Sequence, residues 1–481
     1  MSHATPLDII LWEFDQIAQI PRPSHHEEKI GKYLADWARE RGLSVTCDEL
    51  GDVIIDKPAA PGCEGSPRVI LQAHMDMVCV AAEGVAFDPL RDPIKVVSDG
   101  KVLRAEGTSL GADDGIGIAL CLYVLQDETL RHGPLRVIFT VNEEDGMSSV
   151  DMPAQYLDGD YLINLDWEWL GSLCNSAAGC DFIRLSRTAA RVPAADGDVT
   201  LEVTLKGLQG GHSGVGINLG RANALVCMAS ALSRLTEADI PVKIAAFSGG
   251  QAKNAIPAAA QAAVLVPSDL AQKAVHLLAA YEQDFVSAFG EKEPGYVYAV
   301  RQGDAAATGL DTDVSNALLA LLTSLPNGVN TMSPFVSSLV ESSQNLGLLT
   351  VGPEEIVLEA MERSCVNYRA EEILRASRQI AEALGFTYTQ GDHAPAWGVN
   401  PHSRLVPVTC AVYKEISGAD MVVEPVHGGL ECGAFYEKNP KLDMIAIGPS
   451  LTGVHSPDET CDIDSVRITA ELIVKVLERL I

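Results

Sequence analysis

The chain has 481 residues, 47% of them hydrophobic, which is enough for two or three domains with sizeable cores. Its 35 basic and 65 acidic residues give a net charge of −30, which repels nucleic-acid phosphates and anionic membrane surfaces. Eleven scattered cysteines, the absence of long apolar runs and an N-terminus unlike a signal peptide favour a cytoplasmic protein without nucleic-acid or membrane partners.

Strands and helices alternate in the first third of the chain. A helix is predicted over residues 24–42, with Ser24 and Glu27 at capping-box spacing and Gly42 at its end. A loop leading into a helix is predicted over 111–128. Three apolar runs are predicted to be buried strands: 68–78, 134–144 and 161–166. This alternation is typical of an α/β fold, a doubly wound and mostly parallel sheet with helices on both faces.

The pattern changes near Arg187. Residues 197–209 alternate apolar and polar side chains, which predicts a half-exposed antiparallel strand, and a helix–strand–strand–helix order follows. After residue 396 the α/β pattern returns, and the chain closes with a helix over 465–481. We therefore predict one discontinuous α/β domain, residues 1–186 and 396–481, interrupted by a large α+β domain, residues 187–395.

Acidic and imidazole side chains follow the predicted strands where each strand ends. They are His74, Asp76, Asp113, Glu143, Glu144, Asp166 and His455. Because the carboxyl ends of parallel strands share one edge of a sheet, we expect these groups to converge. Taken singly, each is more typical of a solvated loop, a helix cap or a core histidine. Their joint placement is what indicates a site.

The convergence of imidazoles and carboxylates without a thiolate suits zinc, manganese or cobalt. The ligands exceed the needs of one tetrahedral ion, so two ions about 3.5–4 Å apart that share a carboxylate are expected. Adjacent strand residues face opposite ways, so one of Glu143 and Glu144 is expected to bind metal and the other to handle a proton. Asp76, two residues after His74, faces the same way and is expected to orient its imidazole.

Five motifs at these strand ends resemble those of the co-catalytic two-zinc exopeptidases, the family of aminoacylase, peptidase T and bacterial dipeptidases. In chain order they are "HMD", "GADDG", "NEEDG", "NLD" and "GVHSPDE". The stretches "GTSLGADDGIG", "GLQGGHSGVGINLGRANA" and "VHGGLECG" are most similar to the cytosolic aminoacyl-histidine dipeptidases of that family. The resemblance extends over essentially the whole chain.

The resemblance implies a role for each residue that the motifs match. Asp113 would bridge two divalent ions, most often zinc, with cobalt or manganese as substitutes. His74 and Asp166 would complete one metal site, and Glu144 and His455 the other. Glu143 would be the general base, and Asp76 would orient His74. The family pattern also implies a cis peptide bond between Asp113 and Asp114.

Three residues of the inserted domain also match the family pattern. His212 in "GGHSG" resembles a lid histidine that contacts the scissile carbonyl, often from the partner subunit of a homodimer. Asn254 in "AKNAIP" and Arg369 in "VNYRAEE" resemble residues that hold the substrate's carboxylate. Without the resemblance, "GGHSG" would be interpreted as a glycine-rich turn and Arg369 as a surface arginine.

The resemblance implies hydrolysis of dipeptides, with a preference for Xaa-His dipeptides such as β-alanyl-histidine, by a water activated between two metal ions. Deacylation of N-acyl amino acids is the nearest alternative, followed by a less selective dipeptidase or tripeptidase activity. From another class, a scaffold protein with structural zinc is disfavoured, because such sites are rich in cysteine and lack a spare base. A serine hydrolase is a weaker alternative still.

Overall fold

Two units, each with its own sheet and core, form the chain in this computed structural model, which describes residues 5–334, 336 and 339–481. The first unit contains Met1–Ala177, Trp397–Val426 and Leu430–Ile481. The second contains Ala178–Ala396 and His427–Gly429. Strand Gly179–Thr188, which the predicted boundary at residue 186 divides, lies wholly in the second unit because it pairs along its length with strands there. Within the described residues, the helices are too short or too polar to cross a membrane.

The helices and strands are numbered here in chain order. The helices are α1 Pro6–Ala18, α2 Glu28–Glu40, α3 Ala112–Gln126, α4 Ala224–Glu237, α5 Ala271–Phe289, α6 Thr312–Ser324, α7 Asn367–Ala383, α8 Leu405–Ser417, α9 Cys432–Lys438 and α10 Ile463–Arg479. The strands are β1 Ser44–Cys47, β2 Val53–Lys57, β3 Val69–His74, β4 Val96–Ser98, β5 Val102–Ala105, β6 Leu135–Thr140, β7 Tyr161–Asn164, β8 Ser172–Ala177, β9 Gly179–Thr188, β10 Arg191–Pro193, β11 Asp198–Lys206, β12 Gly211–His212, β13 Lys243–Gly249, β14 Ala255–Ile256, β15 Ala260–Pro267, β16 Val297–Gln302, β17 Thr308–Leu310, β18 Gly328–Met332, β19 Val340–Val351, β20 Glu355–Ser364, β21 Thr387–Ala394, β22 Val422–Val426, β23 Asp443–Ala446, β24 Leu451–Thr452 and β25 Thr460–Asp462.

The first unit is built on an eight-stranded sheet in the order β1-β2-β6-β3-β7-β23-β8-β22. The four central strands, β6, β3, β7 and β23, run parallel to one another. Alternate residues of these strands enter two different cores. Leu71 and Ile163 pack with α1, α2, α3, α8 and α10, whereas Ile70 and Leu162 pack with α9. The sheet is therefore covered on both faces, as predicted for a doubly wound fold.

The second unit is an α+β structure with a nine-stranded antiparallel sheet. Eight strands follow the order β16-β11-β15-β13-β19-β20-β9-β21, and β18 adds to β19. Helices α4 to α7 share one core with alternate residues of this sheet, such as Val203, Val264 and Leu358. An antiparallel sheet with helices on one face is the architecture that the polar–apolar alternation after Arg187 predicted.

The predicted capping box of the second helix is wrong. Helix α2 begins at Glu28, and Glu27 stands at the N-cap position without a side-chain capping hydrogen bond. Instead, the Ser24 hydroxyl donates to Asp76 at 2.7 Å, and the Glu27 carboxylate accepts the backbone N–H of Asn142 at 3.0 Å. Both side chains are thus used in long-range contacts to the loops that carry predicted site residues.

A buried acid lies between the sheet and α7 in the second unit. Glu362 is fully buried, and its neighbour on the same face of the sheet is Asp181. Among the described residues, no hydrogen-bond partner reaches either carboxylate oxygen of Glu362. Burial, followed by the charge of Asp181, raises the pKa of Glu362 to about 9. The folded protein therefore keeps a proton on this side chain at neutral pH.

We predict that Glu362→Gln stabilises the protein at alkaline pH. Unfolded Glu362 ionises near 4.5, while the folded protein holds the proton up to about 9, so stability falls as the pH rises between these values. The amide cannot ionise, so the variant should gain roughly 1–3 kcal/mol in free energy of unfolding at pH 8 and much less at pH 5. Urea unfolding at both pH values measures the difference.

Glu382→Gln, at an exposed position of α7, is the matched control. Its free energy of unfolding should stay within about 0.5 kcal/mol of the wild-type value at both pH values. If the free energy of unfolding of Glu362→Gln differs from that of the wild type by the same amount at pH 5 and at pH 8, the conclusion that folded Glu362 carries a proton is wrong.

Candidate metal centre

Five of the predicted side chains meet at the carboxyl edge of the first unit's sheet. His74 is the last residue of β3, Glu144 follows β6, and Asp166 follows β7. Asp113 lies at the start of α3, and His455 lies on the loop between β24 and β25. The ends of three parallel strands, the start of α3 and the β24–β25 loop therefore bring together residues that are up to 381 positions apart in the chain.

Asp113 is the centre of this cluster. Its Oδ1 lies 2.9 Å from His74 Nε2, and its Oδ2 lies 3.1 Å from His455 Nε2. His74 Nε2 is also 3.7 Å from Asp166 Oδ1, and His455 Nε2 is 2.9 Å from Glu144 Oε2. One carboxylate thus faces two imidazoles with different oxygens.

The donors form two groups that share Asp113. His74, Asp113 and Asp166 form one, and Asp113, Glu144 and His455 form the other; within each group the donor atoms lie within 4.8 Å of one another. All are imidazole nitrogens or carboxylate oxygens, which suit zinc, cobalt or manganese. Several carboxylates buried together repel one another unless positive charge compensates them. The residues present therefore fit two divalent cations that share the Asp113 carboxylate.

The electrostatics of the protein alone show the same excess of negative charge. Burial raises the pKa of Asp166 to about 8, and the nearby charge of Asp113 adds to the effect. Burial, followed by the charge of Asp166, also raises the pKa of Glu143 well above its ordinary value. Burial acts in the same direction on Asp113, but hydrogen bonds to His455 and His74 outweigh it and hold the pKa of Asp113 low. Protons or cations are therefore needed to hold these acids together.

Asp76 links the first imidazole to the loop after β6. Its Oδ1 lies 3.4 Å from His74 Nδ1 and accepts the backbone N–H of Glu143 at 3.0 Å. Its Oδ2 accepts the backbone N–H of Glu144 at 3.1 Å and the hydroxyl of Ser24 at 2.7 Å. Asp76 thus holds the backbone of two predicted site residues in addition to facing the imidazole, and the sequence pattern did not indicate this second contact.

The two adjacent acids at the start of α3 have different contacts. Asp113 faces the imidazoles, while Asp114 accepts the backbone N–H groups of His74 at 3.2 Å and Gly117 at 3.1 Å. The peptide bond between Asp113 and Asp114 is cis, as the resemblance implies. Asp114 therefore has the capping role that either acid alone would suggest, and it leaves Asp113 for the cluster.

Ser109 stands in a G-x-S-x-G spacing, "GTSLG", which could be mistaken for a nucleophile elbow. The Ser109 side chain is fully buried, and its hydroxyl donates to the backbone carbonyl of Val78 at 2.7 Å. The same oxygen accepts the backbone N–H of Val80 at 3.2 Å. These contacts give Ser109 a structural role rather than that of an exposed nucleophile.

In the second unit, the predicted residues His212 and Asn254 lie close together. Strands β12 and β14 pair His212 with Ala255, and the Asn254 carbonyl accepts the N–H of Ser213 at 2.9 Å. His212 Nδ1 accepts the N–H of Gly214 at 3.1 Å. Burial, followed by the charge of Arg363, lowers the pKa of His212, so its neutral form presents Nε2–H as a donor.

Arg369 and Arg363 differ sharply in their surroundings. Arg369 is partly exposed, and its guanidinium contacts Glu341 at 3.1 Å and Glu372 at 2.7 Å. Arg363 is 7% exposed, and among the described residues its buried Nε has no hydrogen-bond partner. Sequence reasoning did not select Arg363, although its position near the carboxyl end of β20, four residues before α7, is a signal that could have indicated it.

His427 is a second residue that the sequence analysis did not select. Its Nε2 lies 2.7 Å from the Ser343 hydroxyl, and Ser343 is paired with Arg363 across β19 and β20. Burial lowers the pKa of His427 to about 4, with a further contribution from the charge of Arg363. His212, His427 and Arg363 therefore form a cluster with two neutral imidazoles around one buried guanidinium.

Comparison with known proteins gives consistent matches. The profile described as "Peptidase family M20/M25/M40" matches residues 70–479. The cytosol non-specific dipeptidase of Escherichia coli is 34% identical over 476 residues, which are 98% of this chain and 97% of that protein. The crystal structure of an aminoacylhistidine dipeptidase from Vibrio alginolyticus has a TM-score of 0.93 and 34% identity, covering 99% of this chain and 97% of the other.

A tripeptidase from Staphylococcus aureus shares the fold, with a TM-score of 0.56 at 16% identity over 98% of each chain. Together the matches confirm the predicted family and the predicted combination of an α/β and an α+β domain. With the profile matching residues 70–479 and one relative 34% identical along almost the whole chain, the protein belongs to peptidase family M20/M25/M40 and is a hydrolase that acts on peptide bonds.

Proposed function

We propose that this peptidase is a metal-dependent dipeptidase. The observation that supports this most directly is the Asp113 carboxylate, which offers one oxygen beside His74 and the other beside His455. A shared carboxylate of this kind is what two neighbouring divalent ions require. Glu143 is half-buried and belongs to neither donor group, and the charge of Asp166 contributes to its raised pKa, so a carboxylate is left over beside the cluster for proton transfer.

Two divalent cations per chain, zinc or in its place cobalt or manganese, would be held by His74, Asp113 and Asp166 and by Asp113, Glu144 and His455. When bound, such ions polarise a carbonyl and lower the pKa of water. Both imidazoles point Nε2 towards the shared carboxylate, so each would bind through that atom.

The chain's own groups would move the protons. Glu143 would accept a proton from the attacking water and pass it to the leaving amine, acting first as base and then as acid. Asp76 would keep His74 in position, and through its bonds to the N–H groups of Glu143 and Glu144 it would also fix where the base stands.

Dipeptides are the proposed substrates, with Xaa-His dipeptides such as β-alanyl-histidine preferred. The two relatives at 34% identity support dipeptide cleavage, but their names differ in selectivity: one is an aminoacylhistidine dipeptidase and the other a non-specific dipeptidase. The acids around Asp113 favour a substrate with a free cationic amine over an acylated one. A less selective dipeptidase or tripeptidase, or a deacylase of N-acyl amino acids, is the alternative.

A substrate panel tests the proposal. We predict that β-alanyl-histidine and other Xaa-His dipeptides are hydrolysed with higher kcat/KM than Xaa-Leu dipeptides, and that N-acetylation of the dipeptide lowers kcat/KM at least tenfold. Release of free amino acid, followed by chromatography, measures the rates. Faster cleavage of N-acetyl amino acids than of dipeptides would establish the deacylase instead, and equal rates for Xaa-His and Xaa-Leu would remove the histidine preference.

A pair of substitutions separates the base from the bridging ligand. Glu143→Gln should lower kcat by about 10²–10⁴-fold while two metal ions per chain remain bound, because only proton transfer is lost. Asp113→Asn should lose metal as well as activity, because both donor groups share this carboxylate. Metal content after dialysis is measured by mass spectrometry.

Asp145→Asn is the matched control, because Asp145 is exposed and directly follows Glu143 and Glu144 in the chain. This variant should keep both the metal content and the kcat of the wild type. If Glu143→Gln retains more than a few per cent of the wild-type kcat with metal bound, the assignment of the base is wrong.

In the second unit, we propose Arg363 in place of the predicted Arg369 as the residue for the substrate's carboxylate. Arg369 already contacts two carboxylates, whereas Arg363 is buried beside two neutral imidazoles and its Nε–H has no hydrogen-bond partner among the residues that the structure describes. His212 and Asn254 keep their predicted roles at the carbonyl and the carboxylate.

Arg363→Lys should therefore raise the KM for a dipeptide at least tenfold, because lysine lacks the planar fork that matches a carboxylate. Arg369→Lys is the matched control and should change KM less than twofold. Steady-state kinetics on a dipeptide amide, which lacks the carboxylate, completes the test: the Arg363→Lys effect should disappear there. A larger KM effect for Arg369→Lys would restore the original prediction.

A cytoplasmic homodimer that acts on small peptides, without nucleic-acid or membrane partners, remains part of the proposal. The relative from Escherichia coli is named a cytosol dipeptidase, and the net charge of −30 disfavours anionic partners.

A further inference from the structure

The turn Leu110–Asp113 delivers the shared carboxylate to the cluster, and it is held from both sides by buried charged side chains. Gly111 has a φ of +67°, which favours glycine, and its peptide groups face two different partners. A Cβ at this position would lie 2.6 Å from the sulfur of Met77 and 2.8 Å from a guanidinium nitrogen of Arg22. The turn is therefore closely packed as well as hydrogen-bonded.

Glu459 holds the turn from its N–H side. Its Oε2 accepts the backbone N–H groups of Leu110 at 2.7 Å and Gly111 at 3.0 Å. Its Oε1 accepts those of Ala112 at 2.8 Å and Asp113 at 3.4 Å. Glu459 is 2% exposed, so these bonds are made out of water, where charge-assisted hydrogen bonds are strong.

Arg22 holds the same turn from its carbonyl side. Its Nη2 donates to the Gly111 carbonyl at 2.5 Å, and its Nη1 donates to the carbonyls of Met75 at 2.8 Å and Asp76 at 2.6 Å. Arg22 is 2% exposed and lies on the segment between α1 and α2. One guanidinium therefore joins the loop after His74 to the turn before Asp113.

We propose that Arg22 and Glu459 are positioning residues that set the place of the Asp113 carboxylate between its two imidazoles, an inference that rests on the proposed two-metal site. Neither belongs to the two donor groups, so each acts through the backbone. Glu459 lies four residues after His455, and Arg22 contacts the backbone next to His74. The pair thus fixes the distance between the three chain segments that supply His74, Asp113 and His455.

The two residues bind opposite kinds of backbone group, so each holds contacts that the other cannot make. Glu459 gathers four N–H groups at the start of α3, where a negative charge is favourable, and Arg22 gathers three carbonyls. The Gly111 residue lies between them, with its N–H on the carboxylate and its C=O on the guanidinium. Without the carboxylate, four backbone N–H groups of the turn lose their acceptor, and without the guanidinium, three backbone carbonyls lose their donor, so the turn is then free to shift.

The experiment measures metal binding separately from activity. In Glu459→Gln, the amide NH₂ faces two backbone N–H groups that need an acceptor, and in Arg22→Lys the fork that spans two loops is lost. We expect the zinc affinity of each variant to fall about 10–100-fold, as for other residues that orient metal ligands. Competition with a chromogenic chelator, without substrate, gives this affinity. At saturating metal, kcat should fall while KM for a dipeptide changes less than twofold.

Matched controls lie elsewhere in the chain. Glu293 is fully buried in the second unit and accepts the N–H groups of Gln209 at 2.7 Å and Ala222 at 2.9 Å, so Glu293→Gln loses comparable bonds. Arg136 donates to the carbonyls of Gln155 and Tyr156 and also pairs with Asp56, so Arg136→Lys loses a guanidinium fork that makes more contacts than that of Arg22 but lies outside the turn. Both controls should lower the melting temperature and keep wild-type zinc affinity.

Wild-type zinc affinity in Glu459→Gln and Arg22→Lys, with a fall in melting temperature like that of the controls, would overturn the proposal and leave the pair as ordinary fold contacts. If one variant does not fold, the other decides by the same criterion, and Glu459→Asp, which keeps the charge on a shorter side chain, is measured with it. Failure of the wild-type protein to bind two divalent ions would instead refute the proposed function. That result concerns the wild-type protein, so it can be told apart from any effect of the Arg22 or Glu459 substitutions.

Discussion

The site depends on a carboxylate held between two imidazoles. Asp113 faces His74 with one oxygen and His455 with the other, and Asp166 and Glu144 each approach the same Nε2 atom of one of these imidazoles. Such a collection of buried acids is unfavourable unless cations or protons neutralise it. The parallel strands place these acids close together, because the carboxyl ends of the strands bring several loops to one edge of the sheet. The chemistry proposed for the site follows from that shared edge.

The support around the cluster comes from segments that have no ligand of their own. Ser24 and Glu27 lie between the first two helices, yet they contact Asp76 and the backbone of Asn142 at the start of the loop that carries Glu143. Arg22, in the same short segment, contacts the carbonyls beside His74 and Asp113. The segment between α1 and α2 thus contacts three loops of the site. Its polar residues serve these contacts rather than the capping of α2.

Sequence reasoning could predict the strand ends, because period and composition mark where a buried strand stops and a polar residue begins. It therefore found His74, Asp166 and the other acids of the cluster. It could not predict contacts such as Glu459 to Leu110, which join residues 349 positions apart and leave no local period. For the same reason it misread Ser24 as a helix cap, and it could not predict that Arg363 is buried, because the burial of an arginine is decided by distant segments.

The second unit contains a buried positive charge, the guanidinium of Arg363, where the first unit contains an excess of acids. Glu362 and Arg363 are adjacent in β20, so their side chains face opposite sides of the sheet. Burial keeps Glu362 protonated on the side covered by α7, and the guanidinium of Arg363 is therefore not neutralised by its neighbour in sequence. On the other side the same guanidinium helps to keep His212 and His427 neutral. None of these three side chains is an anion, and this is the electrostatic reason for proposing Arg363 as the residue for the substrate's carboxylate.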